Sequence, residues 1–321
     1  MHAIKVTEFG DPSVMQWTEQ EMPLPAPDQV VIKVSLTNVN FADTLLRRGS
    51  NPALKSPYIP GLDCTGTIIA VGTNVDDLHV GQRVTAFTDG GSYAEIVLAR
   101  AVLTYPIPDA VKDEDVCGMV ALVTAWNVVS LAGRLSAGET LLVHSAAGGV
   151  GLAAIQIARA RGAKTIVGIV SDLGKAGIVR ECGADAVISI ENFAHEARRI
   201  LGASGADVIL DPNAGENFPR NFEVLAAFGR LVSYGQAAGG PASISTDQLH
   251  PLNRAVVGYS SGHFRSARPE ALRPAANAVI DAIGSGHLKL IVGARYKLQK
   301  AAEAHLLIES RKSHGKILLV P

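Results

Sequence analysis

A glycine-rich turn between a strand-like run and a helix-like run constrains the fold of this chain more than any other feature. The apolar run at residues 140–144 leads into Ser-Ala-Ala-Gly-Gly-Val-Gly at residues 145–151, and apolar residues then recur at helical spacing up to residue 160. Small residues let the backbone turn tightly, and the free N–H groups at a helix N-terminus attract phosphate. The order strand, turn, helix is typical of a dinucleotide-binding unit.

The turn by itself is a weak motif, because Ala146 stands at the first glycine position of Gly-x-Gly-x-x-Gly. A tight turn that binds nothing is the alternative interpretation. The following segments favour the nucleotide, since strand-like and helix-length runs alternate as in a parallel sheet covered on both faces. The strand-like runs are residues 140–144, 165–169, 186–190, 208–211 and 230–234. They predict a doubly wound parallel-sheet (Rossmann) domain of about five or six strands.

Both ends of the chain have a different pattern. Short β-type runs at residues 30–34, 66–72 and 82–87 predict a small, mostly antiparallel barrel, and the last stretch, with a helix-like run at 270–283 and a strand-like run at 316–320, is expected to return to it. A length of 321 residues fits two domains. We therefore predict an α/β protein with one domain from residues 1–118 and 258–321 and a second from residues 119–257.

Composition narrows the class of partner. The formal net charge is -1, which gives no reason to expect nucleic acid or an anionic membrane as a partner, and no apolar run is long enough for a membrane span. Cys64, Cys117 and Cys182 are far apart in sequence and fit neither a disulfide framework nor a structural zinc lobe. A cytoplasmic protein with reduced thiols and a small-molecule substrate is expected.

The residues after the second predicted strand bear on the choice of nucleotide. An acidic residue there binds a ribose 2′-hydroxyl, whereas a cation accommodates a 2′-phosphate. Ser171 and Lys175 favour the phosphate and Asp172 opposes it. Alternatively, Asp172 caps the following helix and Lys175 is merely solvated. NADPH is preferred on this pattern, with NADH possible.

Several motifs together resemble the quinone oxidoreductase branch of the medium-chain dehydrogenase/reductase superfamily. They lie at residues 38–44, 60–66, 144–151, 231–235 and 309–311, and the resemblance covers nearly the whole chain. It implies a GroES-like barrel built from both chain ends, an inserted Rossmann domain, a cleft between them, and a homodimer. In the zinc alcohol dehydrogenases of this superfamily the catalytic metal is held by Cys, His and Cys. The matching positions here are Asn40, Leu62 and Val120, of which Leu and Val cannot bind zinc, so no metal site is expected.

The resemblance also implies the site residues. Asn40 would lie beside the nicotinamide ribose as the catalytic residue, and a turn asparagine satisfied by local backbone is its alternative. Asp43 is expected to cap a helix over residues 44–48 rather than act as an acid, and Arg311 could equally form a surface salt bridge. The expected cofactor-binding residues are Asn40, Thr124, Ala147, Gly148, Gly149, Val150, Ser171, Lys175, Asn213, Tyr234, Gly235, Gly258, Tyr259 and Arg311.

The expected activity is zinc-independent, NADPH-dependent hydride transfer to a quinone or another electron-poor conjugated carbonyl. Two tyrosines of the substrate mouth in better-known quinone reductases are Leu45 and Asn51 here, which leaves the acceptor open. An enoyl-thioester reductase is one alternative, with Tyr58 as a substitute proton donor for the tyrosine lost at Asn51. A non-catalytic NADPH-sensing protein is another. His144, at a strand end, is expected to be a hydrogen-bonded structural residue rather than a base.

Overall fold

The computed structural model describes all residues from Met1 to Pro321. Its strands are β1 (His2–Val6), β2 (Met15–Glu19), β3 (Gln29–Val39), β4 (Asp63–Val71), β5 (Arg83–Phe87), β6 (Ile96–Arg100), β7 (Thr104–Pro106), β8 (Thr140–Val143), β9 (Thr165–Val170), β10 (Ala186–Ser189), β11 (Ala206–Asp211), β12 (Leu225–Ser233), β13 (Ala255–Gly258), β14 (Val292–Lys297) and β15 (Lys316–Val320). Its α-helices are α1 (Phe41–Arg47), α2 (Asp113–Val116), α3 (Met119–Asn127), α4 (Gly149–Ala160), α5 (Ala176–Glu181), α6 (Phe193–Leu201), α7 (Ser261–Ala267), α8 (Arg273–Gly284) and α9 (Ala301–Glu309). None of these helices has the length and apolar character needed to cross a membrane.

The chain divides into two units. One comprises Met1–Val123 and Gly262–Pro321, and the other comprises Thr124–Ser261. The second unit is therefore inserted in the sequence of the first, and its limits fall a few residues after the predicted limits of 119–257.

The inserted unit contains a six-stranded sheet in the order β10-β9-β8-β11-β12-β13. All of its neighbouring strands pair in parallel. The order reverses between β8 and β11, which is the switch point of a doubly wound fold. The predicted parallel sheet is confirmed, and β13 is a sixth strand that the sequence did not locate. The core is continuous and apolar, with Leu142, Val167, Ile209 and Leu231 buried in it.

The other unit contains a seven-stranded sheet and the two-stranded pair β1-β2. The long strand β3 pairs antiparallel with β4, β6 and β15, so the last strand of the chain lies in the same sheet as strands from its N-terminal part. This unit has two apolar clusters, one around Val30, Ile32 and Ile68 and the other around Ile4 and Ile317. The predicted return of the C-terminal strand to the first domain is confirmed.

Several element boundaries differ from the prediction. The helix predicted from residue 270 begins as an α-helix only at Arg273, after a 3-10 turn at Pro269–Leu272. Pro274 lies in the first turn of α8, where its missing N–H costs nothing, and this favours a helix start there. The helix predicted at 44–48 begins earlier, at Phe41, because Asn40 is its N-cap residue.

Candidate functional site

The glycine turn lies between β8 and α4, as predicted. Ser145 adopts a positive φ of 51°, and α4 begins after Gly148 with no side chain capping its N-terminus. A Cβ atom at Gly151 would lie 2.6 Å from the carbonyl oxygen of Ser145 and 2.7 Å from that of Ala146. Helix and turn are thus in backbone contact, and the uncapped first-turn amides at Gly149 and Val150 form a cradle of the kind that binds a pyrophosphate.

Ala146 replaces the first glycine of the motif without opening the turn. It is fully buried, and its amide donates to the carbonyl oxygen of Ile169 on the neighbouring strand β9. A Cβ atom at Gly168 would lie 3.0 Å from the Cβ atom of Ala146. The alanine methyl therefore occupies space that Gly168 leaves free, and the imperfect motif still gives the required geometry.

The switch point of the sheet brings several predicted residues together. The Ser145 hydroxyl donates to Oδ1 of Asn213 at 3.0 Å, which joins the turn after β8 to the loop after β11. The backbone amide of Tyr234 donates to the carbonyl oxygen of Asp211, and a Cβ atom at Gly235 would lie 2.5 Å from the carbonyl oxygen of Pro212. Ligands of doubly wound sheets bind at this crevice.

A buried hydrogen-bond chain holds that loop, and the sequence did not single out two of its members. Nε2 of His144 lies 2.7 Å from Oδ1 of Asn221, whose Nδ2 donates to Oδ2 of Asp211 at 2.8 Å. Oδ1 of Asp211 accepts from the amides of Asn213 and Ala214 at 2.6 and 3.2 Å. Because Asn221 Oδ1 is an acceptor here, Nε2 of His144 carries the proton.

The structural role expected for His144 is confirmed. Burial lowers the pKa of its imidazole below the ordinary range, although the nearby Asp211 opposes that shift. The ring also packs edge-on against Phe193, with 4.8 Å between ring centroids. Of the two residues that hold His144, Asn221 and Asp211, only Asp211 was marked in the sequence, as the last residue of a predicted strand.

The segment after β9 contains the residues that bear on the choice of nucleotide. Oδ1 of Asp172 accepts from the amide of Gly174 at 2.8 Å, so Asp172 is the N-cap of the short 3-10 turn Leu173–Lys175. The cap expected of Asp172 in the alternative is confirmed, and it uses one of the two carboxylate oxygens. Ser171 is exposed beside it, and partial burial lowers the pKa of the Lys175 ammonium, an effect opposed by Asp172.

The remaining predicted residues of the inserted unit lie close to its first and last residues in the sequence. Thr124 is buried on α3. Gly258 ends β13, with open space where a Cβ atom would be. The hydroxyl of the buried Tyr259 accepts from Nδ2 of Asn127 at 3.0 Å, and its amide donates to Ser233.

In the other unit, Asn40 lies in a buried polar network at the end of β3. Its Oδ1 accepts from Nζ of Lys316 at 2.8 Å, its Nδ2 donates to Oδ1 of Asp63 at 2.8 Å, and its backbone amide donates to Oδ2 of Asp43 at 2.8 Å. Local backbone is therefore not the only group that holds the Asn40 side chain, because Lys316 and Asp63 come from strands distant in sequence. The helix-capping role of Asp43 is confirmed.

The three positions that match zinc ligands lie around Asp63. Oδ2 of Asp63 accepts from the backbone amide of Val120 at 2.9 Å, while Oδ1 accepts from Asn40. Leu62 is buried next to it in sequence. No group of three or more His, Cys, Asp or Glu side chains could hold a metal ion, and Cys64, Cys117 and Cys182 are buried free thiols.

Asp43, which accepts from the Asn40 amide, also belongs to a second buried cluster that extends to α9. The Tyr93 hydroxyl lies 3.3 Å from Oδ2 of Asp43 and 3.1 Å from Nε2 of His305. Burial raises the pKa of Asp43 to about 7, although the bond from Asn40 opposes the shift. Burial and the neighbouring Arg47 lower the pKa of His305 to about 3.

The His305 shift predicts a loss of stability in acid. Between its ordinary pKa of 6.5 and the folded value of about 3, the unfolded chain binds a proton that the folded chain does not. His305 by itself therefore makes stability fall with decreasing pH, by about 2 kcal/mol between pH 6.5 and 5. The raised pKa of Asp43 acts in the opposite sense over the same range, so comparison with a variant that lacks the histidine is needed to isolate its effect. Urea unfolding of wild type and His305→Phe at pH 7 and 5 measures this difference. The exposed His287→Gln variant should keep the wild-type slope, and an unchanged slope in His305→Phe would contradict the assignment.

The residues of the expected substrate mouth do not supply an accessible proton donor. Asn51 is exposed, and its Oδ1 accepts from the amide of Ala53. The hydroxyl of Tyr58 is buried without a hydrogen-bond partner, and burial raises its pKa to about 12.

Arg311, an expected cofactor-binding residue, follows α9 in an exposed position with a positive φ of 59°.

Comparisons with known proteins agree with this architecture. Residues 26–109 match the alcohol dehydrogenase GroES-like domain, and residues 149–286 match the zinc-binding dehydrogenase family. The quinone oxidoreductase of Rattus norvegicus is 34% identical over 330 residues, which cover 100% of this chain and 98% of the relative.

Two solved structures contain NADPH. A mycobacterial protein complexed with NADPH superposes with a TM-score of 0.93 at 33% identity, covering 100% of both chains. The Escherichia coli quinone oxidoreductase complexed with NADPH also gives a TM-score of 0.93, at 28% identity and with 100% of both chains covered.

A GroES-like domain with a dinucleotide-binding parallel sheet inserted in its sequence defines the medium-chain dehydrogenase/reductase superfamily. Within that superfamily, this chain belongs to the quinone oxidoreductase branch. The family and the fold expected from the sequence are confirmed.

Proposed function

We propose that this protein is an NADPH-dependent oxidoreductase that reduces quinones or other electron-poor conjugated carbonyl compounds. The observation that carries the proposal is the uncapped N-terminus of α4, packed on the glycine turn at the switch point of the parallel sheet. The full-length similarity to quinone oxidoreductases supports the reaction class.

The residues of the chain fit this cofactor. Ala147, Gly148, Gly149 and Val150 would hold the pyrophosphate through backbone amides. Ser171 and Lys175 would hold the 2′-phosphate, with Arg311 as a further cation. Along the rest of the cofactor we propose Asn40, Thr124, Asn213, Tyr234, Gly235, Gly258 and Tyr259. NADPH, when bound, supplies the hydride, and the protein contributes binding and orientation.

We further propose that the reaction proceeds without zinc. At the three positions of the catalytic metal ligands, Asn40 is committed to Lys316 and Asp63, and Leu62 and Val120 carry no ligating side-chain atom. Chelator-treated protein should therefore keep its full activity. Loss of activity on chelation, with recovery on adding zinc, would overturn this part of the proposal.

The activity is tested by following NADPH oxidation with a panel of quinones, enones, aldehydes and enoyl thioesters. Turnover of quinones or enones is the expected result. Tight NADPH binding without turnover of any acceptor would favour the NADPH-sensing alternative. Turnover restricted to enoyl thioesters would favour an enoyl-thioester reductase. The buried hydroxyl of Tyr58, the candidate proton donor of such an enzyme, counts against that alternative.

Lys175 provides a test of the nucleotide preference. Replacing it with alanine removes a charge-assisted contact to the 2′-phosphate, so the KM for NADPH should rise about tenfold or more while the KM for NADH changes little. Steady-state kinetics with both nucleotides measures this. Lys164→Ala, an exposed lysine of the same unit, is the matched control. Equal effects on NADPH and NADH would show that Lys175 does not contact the phosphate.

We also propose that the protein is a cytoplasmic homodimer that joins two inserted units through β13. This strand lies at the edge of its sheet, is only partly buried, and therefore has a side open to pairing. The aromatic side chain of Phe228, on the neighbouring β12, is 71% exposed. Light scattering should give twice the chain mass of 33.6 kDa, and the single-chain mass would contradict the dimer.

A further inference from the structure

A buried lysine lies beside Asn40. Lys316 begins β15, is 4% exposed, and donates from Nζ to the carbonyl oxygen of Val39 and to Oδ1 of Asn40, each at 2.8 Å. The pairing of β15 with β3 sets this position, because Ile317 lies opposite Val39. Neither the family matches nor the proposed zinc-independent reaction assigns a role to this ammonium.

The ammonium and Asp63 together fix the orientation of the Asn40 amide group. Its oxygen faces the cation of Lys316, and its nitrogen faces the carboxylate of Asp63 at 2.8 Å. A flipped amide would direct its NH₂ group at the ammonium and its oxygen at the carboxylate, so both contacts would be repulsive. After the bond to Asp63, the NH₂ group of Asn40 retains one further hydrogen that can be donated.

Asp63 is itself held in place. Its Oδ1 also accepts from Nδ2 of Asn38 at 3.0 Å, and its Oδ2 accepts from the amide of Val120. Burial lowers the pKa of the Lys316 ammonium, while Asp63 and Asp43 oppose the shift. An apolar residue at the start of β15 would fill the same space without the free-energy cost of burying a charge. Packing alone therefore does not explain a lysine at this position.

We infer that Lys316 is a positioning residue, whose ammonium orients and polarises the Asn40 amide group so that its remaining N–H donates to the carbonyl oxygen of the substrate. This inference rests on the proposed function. Negative charge develops on that oxygen as the acceptor is reduced, and a donor aimed at it lowers the barrier. Lys316 thus acts through Asn40, in a network that also contains a second zinc-ligand position, Val120.

A double-mutant cycle tests the inference. Lys316→Met and Asn40→Ala should each lower kcat for a quinone by about tenfold or more, since removal of one oriented donor has effects of this kind. The double variant should be no slower than Asn40→Ala, because Lys316 has nothing left to orient. In Lys316→Met, NADPH affinity measured by fluorescence titration should fall by a smaller factor than kcat and by no more than it falls in Asn40→Ala. If the double variant instead loses kcat by the product of the two single-variant factors, the inference is overturned.

Matched variants separate this effect from general damage. Lys297→Met removes an exposed lysine from the neighbouring strand β14 and should behave as wild type. If Lys316→Met alone fails to fold, the combination of Lys316→Met with Asp63→Asn removes the lysine charge together with that of Asp63, so the carboxylate is not left without its cation. That variant should fold and keep the low kcat, and wild-type kcat in it would also overturn the inference.

A measurement on the cofactor-free protein makes the inference independent of turnover. The side-chain amide resonances of Asn40 in ¹⁵N NMR spectra should be protected from exchange in wild type and should shift or broaden in Lys316→Met. Unchanged resonances would show that Lys316 does not orient the amide group. If wild type reduces no acceptor while the resonances respond as expected, the proposed function fails and the orienting contact stands.

Discussion

Replacing Gly151 with alanine is expected to weaken NADPH binding by about ten- to a hundredfold. The new Cβ atom would lie 2.6 to 2.8 Å from three backbone atoms of Ser145 and Ala146, which no rotamer change can relieve. Such overlap costs about 1–3 kcal/mol unless α4 moves away from the turn, and movement takes its first-turn amides out of reach of the phosphates. The dissociation constant, measured by titration, should therefore rise by the corresponding factor.

Gly177→Ala is the matched control for that experiment. Gly177 lies in α5 of the same unit, and no atom lies within 4 Å of where its Cβ would be. Alanine there should leave NADPH affinity unchanged and stabilise the helix by up to about 1 kcal/mol. If Gly151→Ala binds NADPH as tightly as this control, the phosphate cradle has been placed at the wrong turn.

Replacing Asp211 with alanine is expected to lower the free energy of unfolding by about 3 to 5 kcal/mol. Its carboxylate accepts from the amides of Asn213 and Ala214 and from Nδ2 of Asn221, all within a buried region. Donors left without an acceptor there cost about 1–3 kcal/mol each, with partial relaxation reducing the sum. Asn213 would also lose its position, so NADPH affinity should fall together with stability.

Denaturant unfolding and NADPH titration measure the two effects of Asp211→Ala. Asp247→Ala removes an exposed carboxylate of the same unit and should change stability by less than about 0.5 kcal/mol. A variant that loses stability but keeps wild-type NADPH affinity would show that the loop after β11 does not contribute to the nucleotide site.

The two predictions concern the same crevice, yet the sequence revealed their residues unequally. Gly151 belongs to a local pattern in which strand, turn and helix follow one another directly along the chain, so spacing alone predicted it. Asp211 ended a predicted strand without any sign of its partners. Asn221 lies within the 3-10 segment Phe218–Glu223, and no periodicity marks it as the group that joins His144 to Asp211.

Some expectations changed for reasons that only packing reveals. Asp172 could have bound a ribose hydroxyl, but its own helix turn uses the carboxylate as a cap. Asn40 could have been satisfied by its own loop, but it bonds to Lys316, which is 276 residues away in the sequence. In both cases the residue type allowed two sets of partners, and the backbone geometry chose between them.

The sequence by itself determined the class of this protein. The glycine turn and the alternation of strands and helices are properties of local spacing, and the resemblance of its motifs to the quinone oxidoreductase branch implied that Leu62 and Val120, which have no ligating atoms, stand at zinc-ligand positions. Only the tertiary structure decided how the reactive centre is held. Strand pairing between β3 and β15 buries Lys316 against Asn40, and the partners of a buried charge are set by long-range register, which no local pattern records.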